Sequence, residues 1–214
     1  MSLSNKKQAV QTFLDAVKGD YGSVQRYRAK YHAEKIPLTR MPLDFVRKVG
    51  FQTITMVRAM QLLRDLGVPV APQVLSRVIR HLYSAEIHWD AQIAPGVSIV
   101  HGVGLVISHA ATVGEGCILF HNVTLGEGVS PETREVGAPK LGKDVHIGPG
   151  ATLIGPIEVG DGTKIMAGAV LTQSVPPGSL IKPAEAVITE RQGSTKDASK
   201  TNTTRSATGD DAQA

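Results

Sequence analysis

Residues 139–171 read "PKLGKDVHIGPGATLIGPIEVGDGTKIMAGAVL". Through this stretch Leu141, Ile147, Leu153, Val159, Ile165 and Leu171 recur every six residues. Four residues after most of them comes a second, mostly small apolar position: Val145, Ala151, Thr163, Ala169 and Val175. Glycine directly follows several, at Gly142, Gly148 and Gly160. Six residues is neither the helical period nor the alternation of a single strand. It is the period of a short strand plus a turn. Three such units close a triangular coil, and stacked coils bury a column of aliphatic side chains. The repeat therefore predicts a parallel β-helix of hexapeptide type.

The same register extends upstream. Ile87, Ile93, Ile99 and Leu105 keep it, and after a two-residue slip it resumes at Ile107, Val113, Leu119 and Leu125. The smaller inward positions are Ala91, Val97, Ala111, Cys117 and Val123. Cys117 is thus read as a core residue. As the only cysteine it excludes a disulfide framework and a multi-cysteine zinc site, and it fits a reducing compartment.

Three domains follow: an α-helical N-terminal domain over 1–85, the β-helix over 86–191 and a disordered tail over 192–214. In the first, Val10, Phe13, Leu14 and Val17 have helical spacing, with Gly19 as the expected stop. A single longer helix is predicted from Pro42 to Gly67, and a further amphipathic one from Pro72. The tail carries no large apolar side chain and cannot offset its ordering entropy. The first 20 residues are too polar for a signal peptide, and the most apolar window, about 93–114, is broken by His101, His109, Pro95 and glycines. A cytoplasmic protein without membrane contact is expected. Residues 1–85 hold 14 Lys/Arg against 5 Asp/Glu, residues 86–214 hold 9 against 14. The basic residues are spread along helices without a nucleic-acid-binding motif, so a solvated or oligomer-facing surface is expected and nucleic acid is not.

On these hexads, together with "EIHWDAQIAPGVSIVHGVGLVIS" (86–108), "ILFHNVTLGEG" (118–128) and the "VTLG…PKLG" pairing, the chain resembles the serine O-acetyltransferases. The resemblance covers about 85–185. It implies a left-handed coil, acetyl-CoA as acetyl donor, serine as acceptor, a role in cysteine biosynthesis, and a homotrimer or dimer of trimers. His101 matches the family's general base and Glu86 its orienting carboxylate, 15 residues upstream. A hydroxyl attacks a thioester only when a base takes its proton, which neutral imidazole does near pH 7. Gly126, on the "TLG" turn, is the candidate for close backbone approach to the thioester arm, Lys164 matches a family lysine that contacts the cofactor, and the corners around Gly148, Ala167 and Gly168 would let the pantetheine lie against backbone.

The departures gather around the acceptor. Val100 stands where the family has aspartate, and Gly137 and Ala138 where it has an Arg-His pair. Arg134 is the candidate replacement for that arginine, and His121 is read as lining the site. His109 is expected at a surface or interface, His88 in a structural role or near the catalytic pair, and His146 on an exposed turn. The family's terminal isoleucine is absent, so no docking of a sulfhydrylase through the C-terminus is expected. Acceptors other than serine, including amines, remain open. Two other readings are zinc-dependent hydration through His101, His109 and His121, though no histidine pair five apart is present, and a non-catalytic scaffold. No metal is expected. A chain ending at residue 191 should keep full thermal stability and activity; loss of either would overturn the disordered-tail reading.

Overall fold

The computed structural model describes residues 2–32, 37–130 and 132–187. The helices and the coil fall in one compact unit, Met1–Ala184, and Glu185–Ala214 form a second. The expected tail at 192–214 lies outside the described residues.

Five coils follow the predicted hexads. The first comprises β1 (Glu86–Ile87), β2 (Gln92–Ile93) and β3 (Ser98–Ile99), and the second β4 (Val106–Ile107), β5 (Thr112–Val113) and β6 (Ile118–Leu119). The third starts with β7 (Thr124–Gly126) and then leaves the coil as an antiparallel hairpin, β8 (Gly128–Val129) and β9 (Val136–Gly137). It returns with β10 (Lys140–Leu141) and β11 (His146–Ile147). The fourth is β12 (Thr152–Ile154), β13 (Glu158–Val159) and β14 (Lys164–Ile165). The last has β15 (Val170–Leu171), a bridge at Val175 and β16 (Leu180–Ile181).

The strands stack into three parallel sheets: A, of β1-β4-β7-β12-β15; B, of β13-β10-β5-β2; and C, of β16-β14-β11-β6-β3. In each strand of these three sheets up to β15 the second residue is the predicted aliphatic one, and it is buried. Ile107, Leu119, Leu125, Ile147 and Leu153 are fully buried. The phase slip is a local feature of one turn. Glu86 registers with Val106, and Val106 with Thr124, so Val100–Leu105 holds two residues more than the equivalent Phe120–Val123. Cys117 is buried and donates its thiol to the Gly142 carbonyl at 3.2 Å. Burial pushes that thiol up to about 11, so it is an inert packing group.

The helical region departs from expectation at two points. α1 (Leu3–His32) runs straight through Gly19. A Cβ there would make ordinary contact with the Pro95–Gly96 turn, 3.5 Å from the Gly96 nitrogen, so Gly19 lies where the helix meets the coil. Its packed face is Ala16, Asp20, Tyr21, Ser23 and Val24, whereas Val10 and Leu14 of the predicted face stay exposed. The predicted helix from Pro42 is two: α2 (Met41–Arg47) and α3 (Val49–Asp65), broken at Lys48, whose backbone is extended. The break lets α3 begin against the coil. A Cβ on Gly50 would collide with the Ile99 carbonyl, so only glycine permits this approach. α4 (Ala71–Tyr83) starts with Pro72 in its first turn, as expected, and Ser76 donates to the Ile87 carbonyl at 2.6 Å. No described helix is long and apolar enough to cross a membrane.

One buried ion pair fastens the helices to the coil. The Arg58 guanidinium on α3 donates to both carboxylate oxygens of Asp20 on α1, at 2.7 and 2.9 Å, and also to the carbonyls of Ile93 and Ala94. Asp20 accepts in addition from the Val97 N–H at 3.1 Å. Burial raises the Asp20 carboxyl, against the pull of Arg58 and the Val97 amide. Removing one partner leaves the other charge buried and alone. Arg58→Ala is expected to cost about 3–5 kcal/mol in urea denaturation. A loss under about 1 kcal/mol would show that the pair does not fasten the helices.

Candidate active site

The chain passes from sheet C to sheet A through a column of stacked turns. These are Val100–Leu105, Phe120–Val123, Gly148–Ala151 and Met166–Ala169, between the strands already given. Main-chain bonds join the rungs: Asn122 N–H donates to Val103 at 2.8 Å, Gly150 to His121 at 3.1 Å and Gly168 to Pro149 at 2.9 Å. The rungs touch at Gly148, where a Cβ would stand 2.7 Å from the Ala167 nitrogen. The column therefore gathers five predicted site residues: His101, His121, Gly148, Ala167 and Gly168. Gly148 is buried, and Ala167 and Gly168 are exposed.

His101 sits on the enlarged turn at φ 69, with Gly102 and Gly104 also in the left-handed region. For a residue with a Cβ this costs roughly 1–2 kcal/mol, a strain of the kind that collects at functional sites. The turn holds the imidazole out to solvent. The His121 ring lies edge-on to it, 5.8 Å between centroids. The buried Nδ1 of His121 has no hydrogen-bond partner among the described residues.

Glu86 is placed one rung away. Ser84 accepts from the Gly104 N–H at 2.8 Å, and Glu86 N–H donates to Leu105 at 2.8 Å. Its carboxylate, however, pairs with Arg80 of α4, and no hydrogen bond or ion pair joins it to His101 among the described residues. Both partners are more than half exposed, and such a pair holds its rotamers weakly.

The remaining predicted residues lie elsewhere. Lys164 is exposed at the start of β14, in register with His146 on the outer face of sheet C. Gly126 ends β7, where a Cβ would stand 2.9 Å from the Ile154 side chain. Arg134 is exposed at the hairpin tip, at φ 61, with its N–H on the Ser130 carbonyl. His146, expected on an exposed turn, is instead a half-buried strand residue stacked on Phe120 at 5.3 Å. His88 and His109 face one another at 5.4 Å on the turns from sheet A to sheet B, where His109 also meets Glu127 at 3.7 Å. Burial lowers the pKa of His88. The three histidines considered for zinc are thus divided between two edges of the coil.

The sequence reading missed the helical wall of the site. A cavity of about 480 Å³ opens between His101 and the helices, bounded by Val24, Val49, Phe51, Val100 and Val103 and by Arg28, Arg47 and Lys48. Burial lowers the Lys48 ammonium, against the pull of Asp44 and with the help of Arg28. Arg47 ends α2 and Lys48 is the break before α3, while Arg28 lies on α1, 19 positions before Arg47, so no local pattern brings the three together.

The absent Arg-His pair has a structural counterpart. Ala138 is only 3% exposed, inside the coil, and a Cβ on Gly137 would stand 2.9 Å from Pro156. Neither position has room for a long polar side chain.

Comparison with known proteins agrees with this architecture. The family model described as bacterial transferase hexapeptide (six repeats) matches residues 138–173. A serine acetyltransferase of Synechococcus elongatus is 34% identical over 127 residues, covering 59% of this chain and 51% of that protein. One of Salmonella typhimurium is 32% identical over 155 residues, covering 72% of this chain and 55% of its own. The chain thus spans about half the length of these relatives. Among solved structures, Neisseria gonorrhoeae serine acetyltransferase in complex with serine superposes with a TM-score of 0.69 at 25% identity, over 83% of this chain and 72% of that one. Entamoeba histolytica serine acetyltransferase isoform 3 in complex with cysteine gives 0.68 at 25% identity, over 85% and 62%.

Ala138→His overfills the coil and is expected to cost about 1–3 kcal/mol by thermal or urea denaturation. An unchanged midpoint would show that a family-type histidine is accommodated there.

Proposed function

We propose that this chain, a hexapeptide-repeat protein related to the serine acetyltransferases, transfers acetyl from acetyl-CoA to a small-molecule hydroxyl, with His101 as general base. The supporting observation is the position of His101: a strained turn presents its imidazole at the mouth of a cavity, on the same column as the glycine and alanine corners. Serine is the acceptor that the relatives suggest.

The acceptor oxygen forms a bond to the thioester carbonyl carbon as its proton passes to a nitrogen of His101. The carbon–sulfur bond then breaks, and the same proton goes to the departing thiolate. A base in this role is worth about 10²–10⁴ in rate. Glu86 orients the imidazole and stabilises its protonated form. It does so after turning from Arg80, a small change for an exposed pair. The pantetheine arm lies along Gly148, Ala167 and Gly168, with Lys164 beside it and Gly126 at the thioester end. His121 lines the site beside His101, and Arg134, at the exposed hairpin tip outside the cavity lining, is the hairpin's candidate contact to the acceptor. The exposed Val103 and Val170 would be covered in a homotrimer or pair of trimers; a cytoplasmic location and chemistry without a metal complete the reading.

A second reading, an acceptor other than serine, is favoured by Val100 and by the crowding at Gly137 and Ala138. Thiol release from acetyl-CoA against an acceptor panel with serine first separates the two. His101→Ala should lower kcat by about 10²-fold or more while calorimetry finds acetyl-CoA binding intact. A loss under tenfold removes His101 from the chemistry. Glu86→Gln should slow turnover less, and full activity would deny the carboxylate its orienting role.

A further inference from the structure

The cavity beside His101 has a charge pattern that selects its ligand. Arg28, Arg47 and Lys48 line it, and no carboxylate does. The nearest acid, Asp44, is buried and already engaged. It accepts from the Tyr21 hydroxyl at 2.9 Å and faces Arg28 at 3.6 Å and Lys48 at 3.9 Å. Three cations against this one anion leave a net positive site. Arginine and lysine side chains offer donors and no acceptor, so a ligand ammonium would meet only repulsion from them. At the coil wall, Val100 adds no charge beside His101.

We propose that this cavity is the acceptor site and that the acceptor is a hydroxycarboxylate without an ammonium group, an inference that rests on the transferase reading above. Its carboxylate pairs with the cations, foremost Arg47, which has no ion-pair partner among the described residues. Its hydroxyl faces His101. The apolar walls of Val24, Val49, Phe51 and Val103, and a volume of about 480 Å³, accommodate a carbon skeleton longer than that of serine. The step remains the one described: the hydroxyl oxygen takes the acetyl carbon, the thioester bond breaks, and the hydroxyl proton reaches the CoA thiol through His101.

The test uses full-length protein and a matched series. 3-Hydroxypropanoate and L-serine differ only in the ammonium, and 3-hydroxybutyrate adds a methyl group. In thiol-release kinetics, kcat/KM for the two hydroxy acids should exceed that for serine at least tenfold. Arg47→Gln should raise the hydroxy-acid KM about tenfold and leave the acetyl-CoA KM unchanged, and Arg47→Lys should restore most of the loss. Serine used as well as or better than 3-hydroxypropanoate overturns the proposal. So does an Arg47→Gln effect on the acetyl-CoA KM instead, which would assign the cations to the donor's phosphates. If no acceptor releases thiol, the transferase reading fails, and calorimetry then decides the ligand class. Hydroxy-acid binding that is lost in Arg47→Gln supports the site, while no binding, or serine bound as tightly, sinks it.

Discussion

The buried pair of Asp20 and Arg58 is the constraint on which the positions of the other functional groups depend. A coil of hexads is translationally repetitive, and nothing in its own packing tells a helix which rung to rest on. Arg58 supplies that information by donating to the carbonyls of Ile93 and Ala94 while gripping Asp20, which in turn takes the Val97 amide. Every donor of this charged group that would otherwise be stranded in the interior has a specific oxygen to meet, so a shift of one rung would leave a charge unsatisfied. The pair thus locks α1 and α3 onto the first coil. From that lock follow the seat of Gly50 on Ile99 and the placing of Lys48 and Arg28 beside the His101 turn.

The coil makes the complementary contribution. Its three sheets turn a linear repeat into three edges, and each edge stacks residues that sequence spacing alone would mix. His101 and His121 share one edge, and His88 and His109 share another. The eight-position step from His101 to His109 therefore separates two environments: one facing a cavity, the other facing Glu127 on an exposed turn. The two additional residues in Val100–Leu105 enlarge one turn without disturbing the register below it, because Val106 and Thr124 resume the ordinary pairing. A local insertion at a corner is how a uniform coil acquires a distinct site.

The proposed donor and acceptor sides of the site differ in what shapes them. Of the corners along which a pantetheine arm would lie, Gly148 is small because the next rung meets it, and Gly168 takes a positive φ that suits glycine. On the proposed acceptor side the side chains come from the hairpin and the helices. In the hairpin region, Gly137 against Pro156 and the buried Ala138 fill the space with backbone and methyl groups. Charge is supplied instead from the helices, by Arg28, Arg47 and Lys48.

The sequence alone carries the coil, its sheet positions and its buried column. A six-residue period fixes each strand relative to the next, so local pattern and tertiary placement are there one and the same. It also located α4 through Pro72. The break at Lys48, the passage of α1 through Gly19, the stacking of His146 on Phe120 and the engagement of Glu86 with Arg80 were decided only by the tertiary structure. These features depend on groups distant in sequence that meet once the helices dock. Propensity and spacing describe neighbours along the chain, and docking brings together residues that were never neighbours.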